Sequence, residues 1–221
     1  MKKLNKRKAF TLIELLIVIA IIAVLATVVI LSLNPAELLR QSRDSNRVSD
    51  MATLKSAIAL YLADQSVPSL GSSTYCYVSV SVLTANWEIT NAGVPTSTNA
   101  NNCSLWMTGA PANVSGSLAR GIGGVNSGWI PVNFNAISSG SPLGQEPIDP
   151  VNAIGNANCA ATNLSSCGLF YSYEPSSTIF KLAAKMESLK YANNGSAQSG
   201  NVESNDGGNN AYMYEQSSVN L

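Results

Sequence analysis

From Phe10 to Leu33 the chain reads FTLIELLIVIAIIAVLATVVILSL, 24 residues whose polar members are Thr11, Glu14, Thr27 and Ser32. A helix that is apolar on every side must lie inside a large core or inside lipid. At about 1.5 Å per residue this one reaches about 36 Å, enough to cross a hydrocarbon layer of about 30 Å. It is therefore expected to span a membrane. The run is too long for the apolar region of a removed secretory signal and leads into Leu31-Ser32-Leu33-Asn34-Pro35 rather than a small-residue cleavage site. No cysteine precedes Cys76, which speaks against lipoprotein processing.

Charge supports the same reading. The chain holds 13 basic and 13 acidic residues, yet Lys2, Lys3, Lys6, Arg7 and Lys8 precede the apolar run with no acid among them. The remainder carries a balance of −5. Positive residues stay on the cytoplasmic side of a span, so the expected topology is N-in, C-out. Net neutrality gives no argument for a nucleic-acid partner, and no clear site for one stands out. The 221 residues include no histidine, which excludes Ser-His-Asp and Cys-His nucleophile systems and histidine-ligated zinc. No catalytic constellation emerges elsewhere, and the chain is not expected to be an enzyme.

Glu14 is not explained by a plain anchor, because an acid within a span is costly and by default functional. Attraction to the flanking Arg7 and Lys8 is the simplest account. The stretch Arg7-Lys8-Ala9-Phe10-Thr11-Leu12-Ile13-Glu14-Leu15-Leu16 resembles the cleavage and methylation motif of type IV pilins and type II secretion pseudopilins. The resemblance covers residues 1 to about 63. It implies that a prepilin peptidase cuts between Ala9 and Phe10 and methylates the new amine of Phe10. Ala9 stands where the family usually has glycine. It further implies that Glu14 of one subunit neutralises the Phe10 amine of its neighbour, two groups that are each costly in hydrocarbon.

The expected organisation is a cleaved basic leader at 1–9, a transmembrane and assembly helix at 10–33, an amphipathic stalk helix at 34–63 and an extracytoplasmic head at 64–221. Asn34-Pro35-Ala36-Glu37 reads as a helix restart with proline at the first helical position. Val48, Met51, Leu54, Ile58 and Tyr61, with Leu62 beside them, form a stripe at helical spacing. Arg40, Arg43, Asp44, Arg47 and Asp50 are expected to form a solvated collar near the headgroups, with contacts to neighbouring subunits as the alternative. In the head, residues 75–82, 128–134, 169–174, 178–186 and 211–215 are strand candidates, and 90–104 reads as loop. Pro131 limits the second candidate to an edge. Pro147-Ile148-Asp149-Pro150-Val151-Asn152 followed by Tyr171-Ser172-Tyr173 is similar to a turn and strand of major pseudopilins and related small pilins; Asp-Pro alone already predicts a turn that feeds a hairpin. The whole is an α+β, pilin-like fold: a long N-terminal helix on a C-terminal antiparallel sheet.

Cys76, Cys103, Cys159 and Cys167 allow three disulfide pairings, of which proximity favours Cys159 with Cys167 and Cys76 with Cys103. A zinc site would need all four. Residues 201–210 supply oxygen ligands in a glycine-rich turn, and the resemblance adds that some major pseudopilins bind calcium in a C-terminal loop; Glu203 and Asp206 are the ligands such a site would use. Four Asn-X-Ser triplets, at Asn102, Asn113, Asn163 and Asn194, are assigned no role in a chain this rich in both residues. The resemblance implies a structural subunit of a type IV pilus or pilus-like filament, with prepilin peptidase, other pilin-like subunits, the inner-membrane assembly machinery and the lipid bilayer as partners. A secretion pseudopilin and a membrane-tethered binding domain are the alternatives. The long loop region at 66–127 favours the pilus over the secretion pseudopilin.

Overall fold

The computed structural model describes residues 10–80, 88–89, 95–96, 113–152, 169–193, 201–208 and 213–218. The chain forms two compact units, Met1–Leu39 and Arg40–Leu221.

In the first unit, α1 runs Leu12–Leu33. It holds neither glycine nor proline, so every interior residue contributes to the i→i−4 ladder. Ile and Val are weak helix formers in water, but a chain in lipid must satisfy its backbone internally and the helix is then the default. The Thr27 hydroxyl turns inward to donate to the Ala23 carbonyl at 2.9 Å. Asn34 ends α1 in the left-handed region at φ 40°, ψ 73°, a conformation asparagine tolerates. Helix α2, Pro35–Asp64, then starts on the proline, whose missing N–H costs nothing at a first turn. The amides of Glu37 and Leu38 donate to the Asn34 carbonyl.

In the second unit, α2 from Arg40 onward lies over a five-stranded sheet. The strands are β1 (Tyr75–Val78), β4 (Asn113–Gly116), β5 (Tyr171–Ser176), β6 (Ile179–Ala184) and β7 (Tyr214–Ser217), in the order β4-β1-β5-β6-β7. A separate two-stranded ribbon pairs β2 (Glu88–Ile89) with β3 (Pro95–Thr96). β5 and β6 form a hairpin whose loop places Ser177 at φ 58°. The apolar stripe of α2 is the helix's buried face: Met51, Leu54 and Ile58 are fully buried and Tyr61 nearly so, with Ala57 between them. They pack with Trp129, Tyr171, Tyr173, Phe180 and Leu182 in one core. Tilted ring pairs at 6.1 to 6.4 Å, Tyr77 with Tyr173, Tyr173 with Phe180 and Trp129 with Tyr171, fill its centre. Each buried polar tip finds an acceptor: Tyr173 donates to the Leu70 carbonyl and Trp129 Nε1 to that of Pro147, both at 2.9 Å.

The architecture is the expected α+β one, with local departures. The sheet is not wholly antiparallel, because β1 and β4 run parallel. Part of the region read as long loop is thus sheet. β1 stops at Val78, β5 begins at Tyr171 and β7 extends to Ser217, each a shift of a few residues at element ends. Residues 128–134 form no strand. The amides of Trp129 and Ile130 donate to Glu146 Oε2 at 2.7 and 2.9 Å, and Pro131 has none to give. Two isolated bridges, Arg120 with Gly128 and Gly123 with Asn133, are what remains of pairing there. Gly128 is required, since a Cβ would lie 2.3 Å from the Glu146 carboxyl.

Candidate assembly site

At the start of α1, Thr11 is the N-cap and Glu14 stands three residues on, completing a capping box. The Thr11 amide donates to Glu14 Oε2 at 2.8 Å, its hydroxyl donates to the same oxygen at 2.7 Å, and the Glu14 amide donates back to Thr11 Oγ1 at 3.3 Å. Among the described residues, Glu14 Oε1 takes no hydrogen bond. The side chain is therefore held in place with one carboxylate oxygen free for a second donor. Phe10 is 78% exposed beside it. From Leu12 to Ile30 every residue is exposed, and this stretch is long and apolar enough to cross a membrane. An apolar surface of this extent needs lipid or other helices around it.

The collar on α2 is only partly solvated, with Arg40, Arg43 and Asp50 half-buried. Asp44 and Arg47 are fully buried. The Arg47 guanidinium grips Asp149 with both arms, Nε to Oδ2 at 2.6 Å and Nη2 to Oδ1 at 2.9 Å, while Nη1 donates to Asp44 Oδ1 and Glu187 Oε1 at 2.7 Å each. Arg43 grips Glu187 in the same two-armed way at 2.6 and 2.7 Å. The acids also serve as caps: Asp44 accepts from the amides of Glu187 and Ser188, and Asp149 from those of Val151 and Asn152. Fork-shaped arginines against carboxylates make the strong kind of pair, and backbone amides supply Asp44 and Asp149 with further donors. Burial works against the Arg47 charge, but Asp149 and Glu187 outweigh it and hold the proton more firmly than usual. Burial likewise raises Glu187, and its two arginines more than reverse that, holding it below the usual carboxylate range. Asp50 accepts from the Tyr171 hydroxyl at 2.7 Å, and burial holds its carboxyl above the usual range. The Asp149-Pro150 turn thus carries the ion pair that fastens residues 149–152 to α2.

A family model described as "Prokaryotic N-terminal methylation motif" matches residues 4–30. The chain carries the prepilin signature of the type IV pilins and pseudopilins. The signature spans Ala9, Phe10 and Glu14, and the pilin-like α+β architecture accompanies it. It points to a structural subunit rather than an enzyme and implies processing by prepilin peptidase and assembly with pilin-like subunits. Comparison with the curated proteins and with the solved structures finds no match.

Of the remaining residues singled out in the sequence, Ala9 lies outside the described residues, as do Cys103, Cys159 and Cys167. Cys76 is fully buried in β1. Glu203 and Asp206 are described, and their oxygens are already in use. Glu203 Oε1 accepts from the Met186 amide at 2.8 Å and Oε2 from the Asn193 amide at 2.6 Å. Asp206 Oδ1 accepts from Gly208 and Oδ2 from the Glu215 amide. Among the described residues no group of three or more acids, cysteines or histidines converges as a metal would require. The capping box went unread in the sequence although Thr-x-x-Glu before an apolar run is its signature. Asp149 and Glu187, 102 and 140 residues from Arg47, left no such signal.

Proposed function

We propose that the protein is a filament subunit of the type IV pilus kind, cut between Ala9 and Phe10, methylated on the Phe10 amine, stored in the membrane with its N-terminus inside, and polymerised through α1. The observation that carries this reading is the coincidence of the methylation motif with a helix whose whole apolar surface is exposed around one pre-oriented carboxylate. In the assembled state Glu14 Oε1 receives the Phe10 ammonium of a neighbouring subunit, and Oε2 keeps its bonds to Thr11. Lipid then gives way to other α1 helices around the apolar surface. Prepilin peptidase, like subunits, the inner-membrane assembly machinery and the bilayer are the partners. The four cysteines form two disulfides in the oxidising space outside the membrane, and the complete burial of Cys76 in β1 suits a structural bridge. The region from residue 66 to 127, in which β1 and β4 add a parallel pair to the sheet, favours a pilus subunit over a secretion pseudopilin.

The test is Glu14→Ala in cells that assemble the filament. The variant inserts in the membrane at the wild-type level and is depleted at least tenfold from sheared filaments. Wild-type incorporation of that variant would refute the pairing of Glu14 with the neighbouring amine.

A further inference from the structure

One cavity of the head lies apart from the assembly site and has no part in it. It measures about 330 Å³ and opens between β1, the end of β4 and the loop at 125–131, with Tyr77, Ser115, Ser117, Asn126 and Trp129 among its walls. Tyr77 and Ser115 are register partners on β1 and β4, so their side chains rise side by side from one face of the sheet. The loop opposite is firmly tied. The Ser127 amide donates to the Gly124 carbonyl and the Gly121 amide to the Ser127 carbonyl, both at 2.9 Å, while Glu146 accepts from the amides of Trp129 and Ile130. Asn126 sits at the tip of that turn at φ 66°, a conformation asparagine tolerates. Walls fixed in this way before a ligand arrives lower the ordering cost of binding.

The lining is specific in what it offers and in what it omits. Tyr77 Oη accepts from the Ser72 amide at 3.1 Å and Ser117 Oγ from the Ala119 amide at 3.0 Å, so each hydroxyl keeps its own proton to donate. The Ser115 hydroxyl and the Asn126 side-chain amide are engaged in a hydrogen bond by no other described residue. Both groups can donate and accept. Apolar surface stands beside them: the half-buried Tyr77 ring, Pro131, and Val125, which is 70% exposed. Tyr75, exposed on β1, sets its ring 6.2 Å from that of Tyr77 and extends the aromatic surface. No carboxylate, ammonium or guanidinium lines the cavity, so a charged ligand would lose hydration there without gaining a counter-charge.

We propose that this cavity binds a neutral saccharide. A sugar ring matches both halves of the lining, since its hydroxyls donate and accept alike and its C–H face is apolar enough to lie on an aromatic ring. An extended peptide would draw instead on the main-chain edge of β4 and leave the side-chain hydroxyls largely unused. The cavity lies wholly within the second unit, so the proposal does not depend on cleavage or polymerisation at α1.

The experiment exposes the full chain, held in micelles of a detergent without a sugar headgroup, to an immobilised panel of neutral oligosaccharides with sialylated and sulfated ones beside them, and titrates the free form of each glycan retained. The wild type is retained on neutral members and binds the free glycan saturably. Ser115→Ala and Asn126→Gly, the latter keeping a residue at ease at positive φ, each weaken that affinity about fivefold, the worth of one hydrogen bond, while the thermal midpoint stays at the wild-type value. No retention of the wild type on any neutral glycan, retention on the acidic members alone, or an affinity unchanged in both variants would overturn the proposal. Saturable binding of a capped Thr-Val-Thr-Val peptide with no glycan retained would assign the cavity to strand addition along β4 and overturn it equally. The wild-type arms decide the matter even where a variant does not fold.

Discussion

Along α1 every side chain from Leu12 to Ile30 is exposed although nearly all are apolar, while on α2 Asp44 and Arg47 are fully buried although both are charged. The two regions reverse the usual distribution of polarity, each for its own reason. Among the described residues the apolar surface of α1 has no partner within its unit, and a surface of this extent is complete only in lipid or among other helices. The charges of Asp44 and Arg47 have partners within the head, since Arg47 meets Asp44, Asp149 and Glu187 at 2.6 to 2.9 Å. Polarity by itself therefore does not say which surface faces outward. The inventory of partners does, and on the proposed function the intermolecular work falls to the region whose inventory is open.

The largest expected effect breaks the closed inventory. Arg47→Met keeps the volume of the stem and removes the cation, leaving three acids around the vacated place. Loss of one member of a buried ion pair costs about 3–5 kcal/mol. Urea denaturation of the detergent-solubilised chain measures it, and a loss of well under 1 kcal/mol would mean that the cluster is a solvated collar after all.

A second variant sharpens the point with a buried charge that lacks full compensation. Burial pushes Glu146 up to about 8 against the two amide donors that favour its charged form, and its Oε1 has no hydrogen-bond partner. The folded state then holds a proton that the unfolded chain has given up from about pH 4.5 upward, so this group makes stability fall as pH rises toward about 8. Burial similarly lifts Glu174 to about 7, against the pull of Lys181. Glu146→Gln retains an oxygen for the Trp129 and Ile130 amides and cannot ionise. Its stability relative to wild type rises between pH 5 and 8, as urea midpoints across that interval would report. A parallel pair of curves would show that Glu146 is ionised throughout.

The smallest effect belongs to α1. Ile21→Ala removes much of a large apolar side chain, yet Ile21 is 55% exposed, and unfolding of the head stays within about 0.5 kcal/mol of wild type. Leu54→Ala, a comparable truncation at a fully buried position, costs about 2–5 kcal/mol in the same assay. Similar losses at both positions would contradict the contrast between the regions.

The same contrast explains what the sequence disclosed. α1, the stripe on α2 and the strand candidates at 169–174 and 178–186 follow from local periodicity and composition, and all of them stand in the structure with ends shifted by a few residues. Phe10 and Glu14 were found through a contiguous motif. The burial of Asp44 and Arg47 was not legible, because the residues that compensate them lie far along the chain and a charged run on a helix ordinarily faces water. The strand expected at 128–134 failed for a related reason: its amides are claimed by Glu146, a tertiary partner that no local pattern announces. The parallel pairing of β1 with β4 likewise depends on a distant segment, Asn113–Gly116, with no alternating pattern of its own.

The central claim is that this chain works only after its amino terminus has been remade at Phe10. It is tested most directly by isolating the protein from cells that hold an active prepilin peptidase and determining the mass and sequence of its N-terminal peptide. The account predicts a peptide that begins at Phe10 and carries the mass of one added methyl group on its α-amine. A chain that still begins at Met1 beside the active peptidase, or one cut at another bond, would contradict it.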